Sequence, residues 1–212
     1  MLWGLTLKKI AFPIIVILIF SYEVNAAIEL SGNFGYNKLL YGYTKQNTLT
    51  TRSYTSSLAF YFSASMAFEL NYYNTNNIRL ANDKYKITGV ADYSVVQNYS
   101  EVKYDSYGVG LKYAFAPRGY PVRPLMSLGY AKKFTENSGN TIFERDSDGL
   151  RVNINHSGKK SREDSVFGSF QLQLRITNRL SLTGSVKTVF KAWEWDEAKN
   201  SLKYLVGFSW II

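Results

Sequence analysis

Apolar and polar residues alternate along most of the chain from residue 27 onward, the period of strands with two unlike faces. Ile28, Leu30, Phe34 and Tyr36 alternate with Glu29, Ser31, Asn33 and Gly35. Leu58, Phe60 and Phe62 alternate with Ser57, Ala59 and Tyr61. After Ser63-Ala64-Ser65, the residues Phe68, Leu70 and Tyr72 alternate with Glu69, Asn71 and Tyr73. Tyr107 to Phe115, Met126 to Tyr130 and Phe170 to Ile176 repeat the pattern. Leu180 to Phe190 follows, with Leu182 and Val186 set against Thr183 and Lys187. Last, Tyr204, Val206, Phe208, Trp210 and Ile212 alternate with Lys203, Leu205, Gly207, Ser209 and Ile211. The pattern predicts eight strands. Their connections alternate between short ones (63–65, 116–123, 177–179) and long ones (about 37–52, 74–104, 132–164, 191–200). Inside the long ones, Tyr85 to Val96 is β-like. Ile142 to Arg145 and Leu150 to Ile154 flank Asp146-Ser147-Asp148-Gly149, a predicted hairpin tip. These read as extensions of the strands rather than extra crossings.

Residues 1–26 break the pattern. Lys8 and Lys9 precede an unbroken apolar run from Ile10 to Phe20, and Val24-Asn25-Ala26 gives a small-x-small ending. That order predicts a cleaved export signal at 1–26, followed by one domain at 27–212. An 11-residue run in a helix reaches only about 16 Å, short of the ~30 Å hydrocarbon core. No later stretch is apolar enough for a spanning helix, so a membrane protein built from this chain must be a closed sheet.

Alternation does not say which face points out; a soluble exported β-barrel keeps its apolar face in. Three features favour apolar-out. The apolar rows are bulky, and about thirty such side chains would overpack an eight-stranded interior. The polar rows are mostly small and uncharged, unlike water-facing rows. Aromatic residues gather at strand ends: Trp193 and Trp195 beside one connection, Tyr204 and Trp210 bracketing the last strand. Rings at both interfaces form the girdles of a lipid-embedded barrel. The fold expected is all-β: an eight-stranded antiparallel up-and-down transmembrane β-barrel with short periplasmic turns and long extracellular loops.

The export signal, the eight alternating strands and the ending Tyr204 to Ile212 resemble the small bacterial outer-membrane β-barrels of the OmpA/OmpX type. The resemblance covers all of 27–212 and is architectural. It implies location in the outer membrane, lipids and lipopolysaccharide as neighbours, and recognition of the last strand by the barrel-assembly machinery. The last residue is Ile212, where that family usually has Phe.

The chain carries +9 with 25 Lys+Arg against 16 Asp+Glu, and no Cys. Disulfide and thiolate-metal scaffolds are excluded. Scattered charge on an exported chain is a poor match for nucleic acid. On the parity above, the charges facing the interior are Glu29, Glu69, Lys112, Arg175, Lys187 and Lys203. Each buried acid should then be satisfied by one of these bases, making a rigid plug. The surplus of bases suggests a second reading, a narrow anion-preferring channel for small solutes. Arg118, Arg123 and Arg179 fall in short turns and are expected at the periplasmic headgroups, because Arg forks match phosphate geometry.

Candidate chemistry is thin. His156, the single histidine, sits beside Ser157, and adjacent side chains diverge on an extended strand. A lipid-modifying enzyme using a Ser-His pair is therefore disfavoured. Asp146-Ser147-Asp148-Gly149 lacks the later bidentate acid of a calcium loop. Gly108-Val109-Gly110 lacks the third glycine of a dinucleotide fingerprint and reads as noise. No enzyme, cofactor or metal is expected. The expected role is structural, adhesive or surface-interacting, with the extracellular ligand unknown.

Overall fold

The computed structural model describes residues 27–42, 45–86, 92–194 and 196–212. The predicted export signal at 1–26 and Trp195 lie outside the described residues. Nine strands are assigned among them. They are β1 (Ala27–Tyr41), β2 (Asn47–Tyr61), β3 (Met66–Ala81), β4 (Tyr85–Lys86), β5 (Tyr93–Ala114), β6 (Val122–Arg145), β7 (Arg151–Arg175), β8 (Leu180–Lys191) and β9 (Lys203–Ile211). A single helical turn, α1 (Glu197–Asn200), lies between β8 and β9.

Every pairing is antiparallel, as short connections dictate. β1 pairs with β2 and with β9, and β3 pairs with β2 and with β5. β5 to β9 pair in chain order, so each of the eight long strands has two partners. β4 is a two-residue strip on the far end of β5.

The sheet turns its apolar face outward. Leu172, Leu182 and Phe208 are 43%, 40% and 55% exposed, while their neighbours Gln173 and Thr183 are 2% and 1% exposed. The buried set is dominated by Ser, Thr, Asn, Gln and a few charges, with small aliphatics between them. Hydroxyl pairs across the ladder satisfy one another: Ser31 with Ser57 at 2.7 Å, Ser53 with Thr75 at 3.0 Å.

The strands are longer than alternation predicts. At the short-turn end the connections match, and side-chain oxygens hold them. Ser63 Oγ accepts from the Met66 amide at 2.9 Å, and Thr177 Oγ1 from the Leu180 amide at 2.9 Å. At the other end most of the residues expected in long loops continue as strand. The 132–164 connection is a hairpin turning at 146–150, with the Gly149 amide on the Arg145 carbonyl at 2.9 Å. Gly149 holds φ +72°, which favours glycine there. Past the apolar belt both faces of a strand meet water, so the period-two signal fades although the backbone still pairs. Phe190, expected to face outward, is instead buried. α1 packs beside it on β8, where the Thr188 hydroxyl donates to the Ala198 carbonyl at 2.9 Å.

The long end is one-sided. β8 and β9 stop early: their last pair is Lys187 with Lys203, and β7 leaves β8 at Ser165–Lys191. β1 leaves β9 at Phe34–Val206. β1, β2, β3, β5, β6 and β7 continue as a protruding sheet. β6 and β7 reach furthest, paired out to Glu144–Arg151.

Candidate functional site: the polar interior and the protruding sheet

Near the short turns, side chains from six strands meet inside the ring. Glu29 on β1 is 0% exposed. Lys112 of β5 donates to its Oε1 at 2.8 Å, and Arg123 of β6 to its Oε2 at 3.3 Å. Tyr61 of β2 donates to Oε2 at 2.9 Å, and Gln173 of β7 to Oε1 at 2.8 Å. The same Gln173 amide donates to Ser209 of β9 at 3.1 Å. Each oxygen of the carboxylate therefore accepts twice. Such partnership offsets the cost of taking the Glu29 charge out of water. The Arg118 and Arg123 guanidiniums lie over the Tyr61 ring at 4.5 and 5.0 Å, which caps the cluster with cation–π contacts.

Several placements differ from expectation. Arg123 is not at headgroup level; it is 3% exposed and paired with Glu29. β6 begins at Val122, so Arg123 is already a strand residue on the inward parity of Leu125 and Ser127, not a turn residue. Arg118 is half-buried, and Arg179 is exposed in its turn. Arg175, expected inside, ends β7 and is exposed at the mouth beside Arg118 and Tyr120. Glu69 is 4% exposed, but among the described residues no base lies within ion-pair distance of it, and its Oε2 accepts no hydrogen bond. Lys187 is 3% exposed; it donates to Thr55 at 3.1 Å and to Asn71. Lys203 is half-buried. Of the aromatic set, Trp193 is 88% exposed, and Tyr204 and Trp210 face outward at opposite ends of β9.

A second layer was missed by sequence reasoning. Tyr73, Ala131, Phe167 and Val189 form a buried apolar cluster, with Tyr104 against it. Phe167 rests on a floor without side chains. A Cβ on Gly129 would come 2.5 Å from its ring, and one on Gly108 or Gly110 would come 2.8 Å. Gly108-Val109-Gly110, dismissed above as noise, is the space for that ring. The signal was three glycines on the inward parity of two strands, facing a bulky residue on a third. Lys187 is held between layers, its ammonium 4.9 Å from the Tyr73 ring and 5.4 Å from Phe167. Both layers are built from side chains that the ring encloses.

The protruding sheet is built differently. Glu144 near the β6 tip takes Lys84 at 2.9 Å and Arg151 at 2.9 Å. Lys84 also reaches Asp146 at 3.2 Å, and the Ser94 hydroxyl donates to Asp146 at 3.0 Å. Hydrogen bonds from Lys84 and then Arg151 hold the Glu144 carboxyl below its usual range. Those from Ser94 and then Lys84 do the same for Asp146. His156 is exposed, and its Nε2 stands 3.5 Å from the Thr141 hydroxyl, too long for an activated pair. Among the described residues no group of three or more His, Cys, Asp or Glu could hold a metal ion. On β7, Arg151 to Glu163 pair on one side only, with β6. Among the described residues no strand pairs with the other side, which is an open edge.

The solved structure of OprG from Pseudomonas aeruginosa superposes with a TM-score of 0.51 at 11% identity, covering 88% of this chain and 96% of that one. The chain has the fold of a small bacterial outer-membrane β-barrel. The N-terminal barrel domain of OprF from the same organism gives a TM-score of 0.49 at 13% identity, covering 88% of this chain and 97% of that one. Ail of Yersinia pestis, in complex with the heparin analogue sucrose octasulfate, gives 0.46 at 12% identity, covering 89% and 100%. No protein-family model and no curated protein matches the chain.

Proposed function

We propose that the protein is an exported, non-catalytic outer-membrane β-barrel that meets other molecules through its protruding sheet. On this reading residues 1–26 are removed on export, and eight long strands cross the bilayer up and down. The short turns, the start of β1 and the end of β9 face the periplasm, and the β5–β6–β7 side projects outside. The barrel-assembly machinery reads the last strand, where Tyr204, Val206, Phe208, Trp210 and Ile212 alternate. The outward apolar belt supports the membrane setting, since a water-facing sheet would not expose Leu172, Leu182 and Phe208 while enclosing Gln173 and Thr183.

The observation that carries the interaction role is the open edge of β7. Arg151 to Glu163 would span roughly 43 Å at about 3.3 Å per residue. Unpaired backbone donors and acceptors on such an edge accept an added strand from a partner. Lys159, Lys160 and Arg162 on it discourage pairing with a second cationic copy.

The test is Lys160→Pro together with Asn155→Pro, which remove donors from the edge without entering the apolar belt. Cells displaying the double variant should lose attachment to surfaces bound by cells carrying the parent protein. The barrel should keep its heat-dependent gel mobility. Attachment unchanged in a folded double variant would overturn the edge role. The channel reading is separated by planar-bilayer recording: two filled layers predict no steady current, and a sustained anion current would reinstate it.

A further inference from the structure

The seam between β1 and β9 is the weakest join in the ring. The ladder ends at Phe34–Val206, although β1 runs on to Tyr41 and β9 begins at Lys203. Beyond it the chains still touch: a Cβ on Gly35 would lie 2.5 Å from the Tyr204 carbonyl oxygen. Beside this contact is a cavity of about 320 Å³. Gly35, Asn37, Thr51, Ser53 and Lys203 line its inner side, and Tyr36 and Tyr204 flank it on the outer face.

Lys203 is the unusual member. It sits directly opposite Lys187 in the β8–β9 ladder, with both side chains on the inward face. Like charges directly opposite repel. Lys187 is compensated by Thr55, Asn71 and two rings. Lys203 has no hydrogen bond, ion pair or ring contact among the described residues. The Asn37 side chain is likewise without a hydrogen-bond partner there, so its amide donors are free. A half-buried ammonium and an idle amide thus share one cavity, and no carboxylate among the described residues answers them.

A second hollow shares its border on the outer face. Tyr36 and Tyr204 also border an apolar groove of about 660 Å³ running down the belt. Phe34, Phe170, Leu172 and Val206 form its walls. Gly184 is its floor, with nothing within 4 Å of the place a Cβ would occupy. A cationic recess at an aromatic collar, opening onto an apolar trough, has the polarity of one lipid: an anionic head above and an acyl chain below. Aromatic collars mark the headgroup level of a bilayer.

We propose that the β1–β9 seam binds one outer-leaflet lipid, its phosphate held by Lys203 and Asn37 and one acyl chain laid over Gly184. Lysine serves as a point charge for phosphate. The site rests on the outer-membrane reading above. It differs from the general lipid contact of any barrel in being stoichiometric and dependent on two separate residues.

The test uses the protein extracted from outer membranes in mild detergent, with native mass spectrometry reading the lipid-bound fraction. The parent should retain one phosphate-bearing lipid per chain. Lys203→Gln should lower that fraction about tenfold or more, the loss a charged hydrogen bond implies, and Lys203→Arg should retain it. Gly184→Leu should lower it as far with every charge intact, because its side chain fills the trough rather than striking the wall. Heat-dependent gel mobility of the same samples reports separately whether each variant is a folded barrel, and its absence in the parent would refute the membrane reading instead. Equal lipid retention in folded parent, Lys203→Gln and Gly184→Leu overturns the site. Titration of delipidated protein with inorganic phosphate separates the sources. Saturable phosphate binding lost in Lys203→Gln but untouched by Gly184→Leu, with no lipid retained by the parent, would overturn the lipid and assign the seam to a free anion.

Discussion

Glu29 and Glu144 each hold one lysine and one arginine, at opposite ends of the sheet. Glu29 takes Lys112 and Arg123 where glutamate and lysine are 0% and 1% exposed. Glu144 takes Lys84 and Arg151 where the two bases are 52% and 69% exposed. The same chemistry does different work in the two settings. Inside, water cannot replace a lost partner, so the cluster fixes which six strands meet. Outside, water competes for every charge, and the pairs only bias the shape of the hairpin tip.

The largest break in that comparison is Glu29→Ala. It strands Lys112 and Arg123 without an anion, and should cost about 3–5 kcal/mol of barrel stability, read from the urea midpoint of refolded protein in vesicles. Lys112→Met should cost less, because Arg123, Tyr61 and Gln173 still answer Glu29. Equal midpoints for parent and Glu29→Ala would mean that the cluster is solvated after all. Next is Gly129→Ala. Its methyl would fall 2.3 Å from the Val109 carbonyl and 2.5 Å from the Phe167 ring. Forcing the aromatic layer apart should cost about 1–3 kcal/mol in the same assay. Phe167→Ala placed on top of it should recover part of the loss if the ring is the obstacle.

The smallest effect is at the tip. The Glu144 and Asp146 carboxyls sit below their usual 4.5 and 3.8 because Lys84, Arg151 and Ser94 hydrogen-bond the charged forms. A lowered folded pKa gives stabilisation that is present above those ordinary values and is lost as pH falls through the folded ones. Amide exchange of the β6–β7 tip, after correction for intrinsic rates, should therefore quicken on acidification below about pH 4, while the belt amides stay protected. Glu144→Ala should reproduce the quickening at pH 7 and leave the urea midpoint unmoved. A tip equally protected at pH 3 and pH 7 would show that backbone pairing alone maintains it.

The belt was legible because an exposed apolar face and an enclosed polar interior impose opposite demands on neighbouring residues, as at Leu172–Gln173 and Leu182–Thr183. The protruding strands were not, because stretches such as Asn74-Thr75-Asn76-Asn77 are polar on both faces and still pair. Arg123 was misplaced for a local reason: Pro121, Pro124 and two arginines look like a turn, and only the ladder reveals where β6 begins. Phe167 and its glycine floor come from three strands, so no window of sequence contains them. Glu69 shows the converse limit. Parity puts it inside, yet which acid wins the available bases depends on depth, and Glu29 took both Lys112 and Arg123.

The account stands on which face of the sheet meets lipid. Spin labels at Leu172→Cys and Gln173→Cys, one at a time in bilayers, read this directly through collisions with oxygen and with a water-soluble nickel complex. At position 172 the account predicts strong oxygen and weak nickel collision, with both weak at 173. Strong nickel collision at 173 with a shielded label at 172 would contradict it.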